Sequence, residues 1–231
     1  MNPGWFIAGT DTGVGKTRIA EMLLDTLARH GQAAVGMKPV ACGCRRTAEG
    51  LRNDDAERLL ARSSGQPDYA DVNPYALEPG IAPSLAAQAA GVEIQLSNIL
   101  YHFERLHRSA PQVVVEGVGG WLVPLGPKLT MADVAGALGL PVILVVGMRL
   151  GCINHALLTA QAMRQQRVTV AGWVANQIDA DMMWVRENVE LLKQRLEAPL
   201  LAEYTYQRQA VHGLSLPVFP IERLTEFTAD S

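Results

Sequence analysis

The segment Gly9-Thr10-Asp11-Thr12-Gly13-Val14-Gly15-Lys16-Thr17 sets glycines, hydroxyls and a lysine between an apolar run and a helical pattern. Glycines let backbone N–H groups turn inward around phosphate oxygens, and the start of a helix adds positive potential. In that setting Gly13, Val14 and Gly15 cradle phosphate, Lys16 reaches the outer phosphates and the Thr17 hydroxyl ligates Mg²⁺. The spacing is a variant. The common G-x-x-x-x-G-K-[ST] pattern would put its first glycine at Thr10, but here Gly9 lies one residue earlier.

A magnesium site needs further oxygen ligands. Asp54 and Asp55 follow Leu51-Arg52-Asn53, and Glu116 closes an apolar run. One of the two aspartates is expected to cap or begin a helix. A lone acid ending an apolar strand is costly without a partner, which marks Glu116 as a metal ligand beside the phosphate loop. Lys38 ends another apolar run just before Pro39. A second ammonium beside Lys16 suits a reaction whose reacting groups are all anionic.

These residues need a scaffold that brings them together. Short apolar runs at 5–8, 35–38, 113–115, 141–146 and 168–175 read as strands. Helical patterns lie at 17–30, 54–63, 93–108, 130–138, 153–166 and 181–197. Continuous apolar strands alternating with helices predict a parallel sheet covered on both faces. Ligands of such sheets bind beyond the carboxyl ends of the strands, which is where the candidate residues fall. Residues 64–92 read as a long excursion, and the chain after about 203 is the least patterned.

Composition sets the outer bounds. The chain has 231 residues, 48% of them apolar and 19% charged. That is enough apolar material for one large core and excludes a disordered chain, a coiled coil or a disulfide-stapled miniprotein. The balance of 20 basic against 23 acidic residues lacks the basic excess of a general nucleic-acid binder. No basic leader precedes the first apolar run, and 141–146 falls far short of the ~20 residues that span a bilayer. The expectation is a cytoplasmic α/β protein without a nucleic-acid or membrane partner. Cys42, Cys44 and Cys152 are an odd set that cannot all pair within one chain.

Taken together, the segments resemble the dethiobiotin synthetase family. The resemblance rests on residues 9–17, Lys38-Pro39-Val40-Ala41, 50–56, Val72-Asn73-Pro74, Val115-Glu116-Gly117-Val118-Gly119-Gly120-Trp121, 140–147, 150–161 and Ala171-Gly172-Trp173-Val174-Ala175-Asn176, in the family's order. It implies a single P-loop NTPase-like domain over 1–231, a three-layer sandwich with a mostly parallel sheet. It implies an ATP- and Mg²⁺-dependent ligase that carboxylates 7,8-diaminononanoate with CO₂. A carbamate would attack the γ-phosphate of ATP, and the second amine would close the ureido ring on the resulting anhydride.

The resemblance also distributes roles. Thr12, Lys16 and Lys38 would face the carbamate and the transferring phosphoryl group. Thr17, Asp55 and Glu116 would hold Mg²⁺. Arg18, Gly117, Val118, Gly119, Asn176 and Gln177 would line the nucleotide, with Asn176 on adenine. The segment 200–206 stands in place of the family's base-binding loop, so Thr205, Tyr206 and Gln207 become candidates there. It lacks the family's usual proline. Gly151, Cys152 and Asn154 would bind the substrate carboxylate across a homodimer interface. Cys42 replaces the usual serine against the substrate, and a thiol donates more weakly. Ser84 stands where histidine is common. Cys42-Gly43-Cys44 has no second Cys or His pair at metal spacing to complete a metal or redox site.

Three other readings compete. A partitioning-type nucleotide switch carries a signature lysine at the position of Asp11. An amidoligase on the same fold would need a glutaminase domain for which 231 residues leave no room. A binding-only protein would have no use for Lys16, Thr17, Lys38, Asp55 and Glu116 together.

Overall fold

A computed structural model describes residues 4–206 and 218–225. In chain order the elements are β1 (Gly4–Gly9), α1 (Lys16–Arg29), β2 (Ala34–Met37), β3 (Val40–Cys42), β4 (Arg45–Thr47), β5 (Gly50–Arg52), α2 (Asp54–Arg62), α3 (Tyr69–Val72), β6 (Tyr75–Leu77), α4 (Pro83–Ala90), α5 (Leu96–Ser109), β7 (Gln112–Glu116), α6 (Met131–Leu138), β8 (Val142–Met148), α7 (Cys152–Gln165), β9 (Val170–Gln177), α8 (Val185–Arg195), β10 (Leu200–Tyr204) and α9 (Glu222–Thr225).

Six strands form the central sheet in the order β10-β9-β8-β1-β7-β2. Every pairing in it is parallel. Successive side chains of a strand face opposite sides. Phe6 accordingly joins one apolar layer with Val115 and Leu144, while Ile7 joins the other with Val114 and Val145. Both layers are buried, which is why the strands read as unbroken apolar runs. Each wholly buried side chain of this kind contributes about 1.5–3 kcal/mol. Helix α1 covers the second layer through Ile19, Leu23, Leu24 and Leu27, whose spacing keeps them on one stripe.

The long excursion at 64–92 contains α3, β6 and α4, and β6 pairs in parallel with β3. Residues 45–52 make a small antiparallel hairpin, β4–β5. Strands of three residues carry no readable alternation, so the sequence pattern misses them. The segment 200–206, expected as a base-binding loop, is an edge strand through Tyr204. Leu201 is buried against Gly172 and β10 pairs along β9. Gln207, a further candidate, lies outside the described residues. No helix among the described residues is long and apolar enough to cross a membrane.

Candidate active site

The carboxyl ends of the strands deliver the candidate residues to one edge of the sheet. β1 runs into the loop that ends at α1, β7 ends on Glu116, and Lys38 immediately follows β2. Asn176 lies near the end of β9. A cleft of about 740 Å³ opens at this edge, lined among others by Thr12, Lys16, Lys38, Cys42, Asp55 and Glu116.

The loop is held from inside. Gly15, the N-cap of α1, has φ 94, and an added Cβ would sit 2.3 Å from Asn176 Nδ2. Conformation and space both demand glycine there. Lys16 Nζ donates to the carbonyls of Asp11 (3.0 Å) and Gly119 (2.8 Å), tying the loop to the turn after β7. Arg149, just beyond β8, pairs with Asp11 at 2.5 Å. Thus the residue that occupies the switch proteins' lysine position is a carboxylate engaged by its own chain.

Behind the loop lies a compact charge cluster. Lys38 Nζ is 2.6 Å from Glu116 Oε1 and 3.1 Å from Asp55 Oδ2. Thr17 Oγ1 donates to the same Glu116 oxygen at 2.9 Å. The other oxygen, Oε2, is buried and has no hydrogen-bond partner among the described residues. Burial opposes the charge on Lys38, but Glu116 and Asp55 outweigh it and hold its pKa above the ordinary range. Burial also works against the Asp55 carboxylate; the Lys38 ammonium and its hydrogen bond outweigh that and keep Asp55 below its usual range. Lys16 goes the other way. Burial, then the neighbouring Lys38 charge, push its pKa down to about 8.

Asn53, Tyr69 and Asn73, to which the sequence assigned no role, set this geometry, and Asp54 begins the helix as one of the two aspartates was expected to. Asn53 caps α2 by accepting from the N–H groups of Asp55 and Ala56, which fixes the turn carrying Asp55. Asp54 is the exposed first-turn acid and pairs with Arg45 at 2.6 Å. The Asn53 N–H donates to the Tyr69 hydroxyl (2.8 Å), which donates to Asn73 Oδ1 (3.1 Å). Asn73 Nδ2 donates to the Lys38 carbonyl at 2.7 Å. One chain of hydrogen bonds therefore ties the segments bearing Lys38 and Asp55. The motif Val72-Asn73-Pro74 hinted at Asn73; nothing in local spacing points to Tyr69.

The remaining candidates are more dispersed in role. Asn176 is buried, with Nδ2 donating to the Val14 carbonyl (2.8 Å) and Oδ1 accepting from Arg18 (3.2 Å). Arg18 also lies over the Tyr204 ring, 5.3 Å from its centroid. Gln177 Oε1 accepts from the Tyr206 N–H at 3.2 Å, and Thr205 is exposed beside it. Gly117 abuts Phe6, and Val118 and Gly119 line the cleft. Gly151 caps α7 with φ 92. Cys152 is buried in the core with its N–H on the Arg149 carbonyl, whereas Asn154 is exposed. The three cysteines are free thiols. Burial pushes Cys42 up to about 11 and raises Cys44, so both are neutral thiols near pH 7. Among the described residues no group of three His, Cys, Asp or Glu side chains could hold a metal. Ser84 sits in the first turn of α4, its N–H on the Pro124 carbonyl.

A family model described as an AAA domain matches residues 4–211. The ATP-dependent dethiobiotin synthetase BioD of Xanthomonas euvesicatoria is 49% identical over 222 residues, covering 94% of this chain and 99% of the relative. The chain belongs to the dethiobiotin synthetase family. The BioD synthetase of Aromatoleum aromaticum is 52% identical over 197 residues, covering 85% of this chain and 88% of its own. Among solved structures, the MinD cell division protein of Aquifex aeolicus aligns with a TM-score of 0.59 at 15% identity, covering 98% of this chain and 97% of its own. A ParA family ATPase from Chlorobium tepidum aligns at 0.55 and 12%, covering 97% and 90%. These likenesses show a shared fold with P-loop ATPases. At such identities they carry nothing about activity, and family membership sets the switch and amidoligase readings aside.

Proposed function

We propose that this chain is an ATP- and Mg²⁺-dependent cyclo-ligase that converts 7,8-diaminononanoate and CO₂ to dethiobiotin, with release of ADP and phosphate. The observation that carries it is the buried Lys38 between Glu116 and Asp55, beside the phosphate loop and Lys16. The reacting groups of this chemistry, a carbamate and a phosphoryl group, are both anionic. Two ammoniums lining one cleft lower the cost of bringing them together, and fixed donors act strongly where water is excluded.

Each residue has a part. The N–H groups of Gly13 to Thr17 and the Lys16 ammonium bind phosphate. Lys38 and the exposed Thr12 hydroxyl orient the carbamate. Thr17, Asp55 and Glu116 would hold Mg²⁺: all are oxygen donors suited to a hard cation, and the unpartnered Glu116 Oε2 is a ready ligand. When bound, the ion neutralises charge on the phosphate oxygens. Phosphoryl transfer depends mainly on positioning and electrostatics, so no general base of shifted pKa is required. The second amine attacks the carbamic carbon of the anhydride, the carbon–oxygen bond to phosphate breaks, and the amine's proton leaves with the phosphate.

Nucleotide lining falls to Arg18, Gly117, Val118, Gly119, Asn176, Gln177, Thr205 and Tyr206. The substrate carboxylate falls to the start of α7, where Gly151, Cys152 and Asn154 stand, with a second copy of the chain completing that end as a homodimer. Cys42 lines the cleft as a weak donor toward the substrate. The whole acts as one domain in the cytoplasm.

The test is phosphate release from ATP with Mg²⁺, bicarbonate and 7,8-diaminononanoate. Release that depends on the diamine is expected. Release no greater than without it would sink the proposal.

A further inference from the structure

A second cavity of about 470 Å³ lies away from the phosphate loop, where β9 and β10 begin and α7 and α8 end. Leu144, Val170, Trp173 and Leu157 give it an apolar lining. Trp173 is wholly buried, and its indole N–H has no acceptor among the described residues. Three arginines also line the cavity. Arg164 is paired with Glu197 at 3.0 Å. The guanidinium groups of Arg167 and Arg195 have no ion-pair or hydrogen-bond partner among the described residues.

Arg167 is held there against its backbone preference. The Arg167 N–H donates to Arg164 and the Val168 N–H to Met163, closing α7 with a left-handed residue, φ 55, just past its end. Glycine is the low-cost residue at that position. Helices α4 and α6 end on left-handed Gly91 and Gly139, both at φ 64. Of these three, α7 alone carries a long cation there, in a conformation that disfavours a residue with a Cβ. A strained cation at the mouth of an apolar cavity points to a bound anion.

We propose that this cavity is a second ligand site, for an aliphatic carboxylate. The chain would lie against Leu144, Leu157, Val170 and Trp173, and the carboxylate on Arg167 and Arg195. Guanidinium forks match the planar carboxylate. The volume falls within the roughly 300–1,000 Å³ range of small-molecule pockets.

The test is calorimetric titration of the full chain with nonanoate, with nonan-1-ol and inorganic phosphate as controls. One saturable site per chain is expected, with either control at least about tenfold weaker, a difference of about 1.4 kcal/mol. Arg167→Gly with Arg195→Ala should weaken nonanoate at least tenfold. That variant relieves the left-handed strain, so loss of binding is not loss of fold. Ala160→Phe, which fills the cavity and leaves the arginines intact, should also abolish binding. No saturable binding, undiminished binding in either variant, or phosphate binding as tightly as nonanoate would overturn the proposal.

Discussion

Glu21 on α1 and Glu116 at the end of β7 are each 1% exposed, yet their surroundings differ. Both Glu21 oxygens are occupied: Arg58 donates to each, and Arg62 adds a third contact at 2.8 Å. Glu116 concentrates its contacts on Oε1, where Lys38 and Thr17 meet, and leaves Oε2 without a partner among the described residues. A buried carboxylate that is fully hydrogen-bonded is a structural clamp, here joining α1 to α2. One left half-satisfied beside a phosphate loop has capacity for a ligand. Equal burial thus separates into two uses, told apart by counting partners.

The largest expected effect comes from removing the cation at the second glutamate. Lys38→Met should cut diamine-dependent phosphate release by roughly 10³-fold. It also leaves Glu116 uncompensated, so denaturant unfolding should show a loss of about 3–5 kcal/mol. Arg62→Met, at the first glutamate, should cost far less, because Arg58 remains. Equal losses in the two variants would erase the contrast.

A smaller effect is expected at Tyr69, which reaches the site only through Asn53 and Asn73. Tyr69→Phe breaks the chain from Asn53 to Asn73 that sets Lys38 against Asp55. Turnover should fall about 10- to 100-fold through misplacement, with the KM for ATP unchanged and stability lowered by about 1 kcal/mol. A rise in KM without a fall in kcat would show that Tyr69 serves nucleotide binding instead.

The smallest effect is on pH dependence. Lys16 carries its charge below a pKa of about 8 and loses it above. Phosphate binding needs the charged form, so the KM for ATP should rise between pH 7 and pH 9, by up to about tenfold. Lys16→Arg stays charged, and its profile should be flat over that range. A flat profile in the unaltered protein would mean that bound phosphate restores the proton.

The parts of this molecule that local pattern controls were legible in the sequence. The strands under the site are buried on both faces and so read as apolar runs, and the glycine loop has a spacing of its own. Lys38 and Glu116 could be named because each closes such a strand, and Thr17 because it completes the loop motif; Asp55 was told from Asp54 only by the family resemblance. The hairpin β4–β5 and the β3–β6 pair were hidden, since three residues are too few for a period to show. β10 was hidden because its pairing with β9, not its own pattern, makes it a strand. Tyr69 and Arg149 act through contacts distant in sequence, which no spacing rule reports, whereas Asn53 caps α2 through its own near neighbours, a local signal that the acids at 54 and 55 drew attention away from. Asn176 was legible as a polar residue late in a strand, but its contacts with Val14 and Arg18 emerge only in three dimensions.

The contrast between the two glutamates is tested most directly by the Mg²⁺ dependence of phosphate release in Glu116→Gln and Glu21→Gln, read beside their unfolding curves. Glu116→Gln is predicted to lose roughly 10²-fold in turnover or require at least tenfold more Mg²⁺, with Asp55 still balancing Lys38 and so a stability loss of about 1–3 kcal/mol, smaller than in Lys38→Met. Glu21→Gln is predicted to keep its Mg²⁺ requirement and turnover while losing about 1–3 kcal/mol of stability. An unchanged Mg²⁺ requirement and turnover in Glu116→Gln, or a loss of turnover confined to Glu21→Gln, would contradict the account.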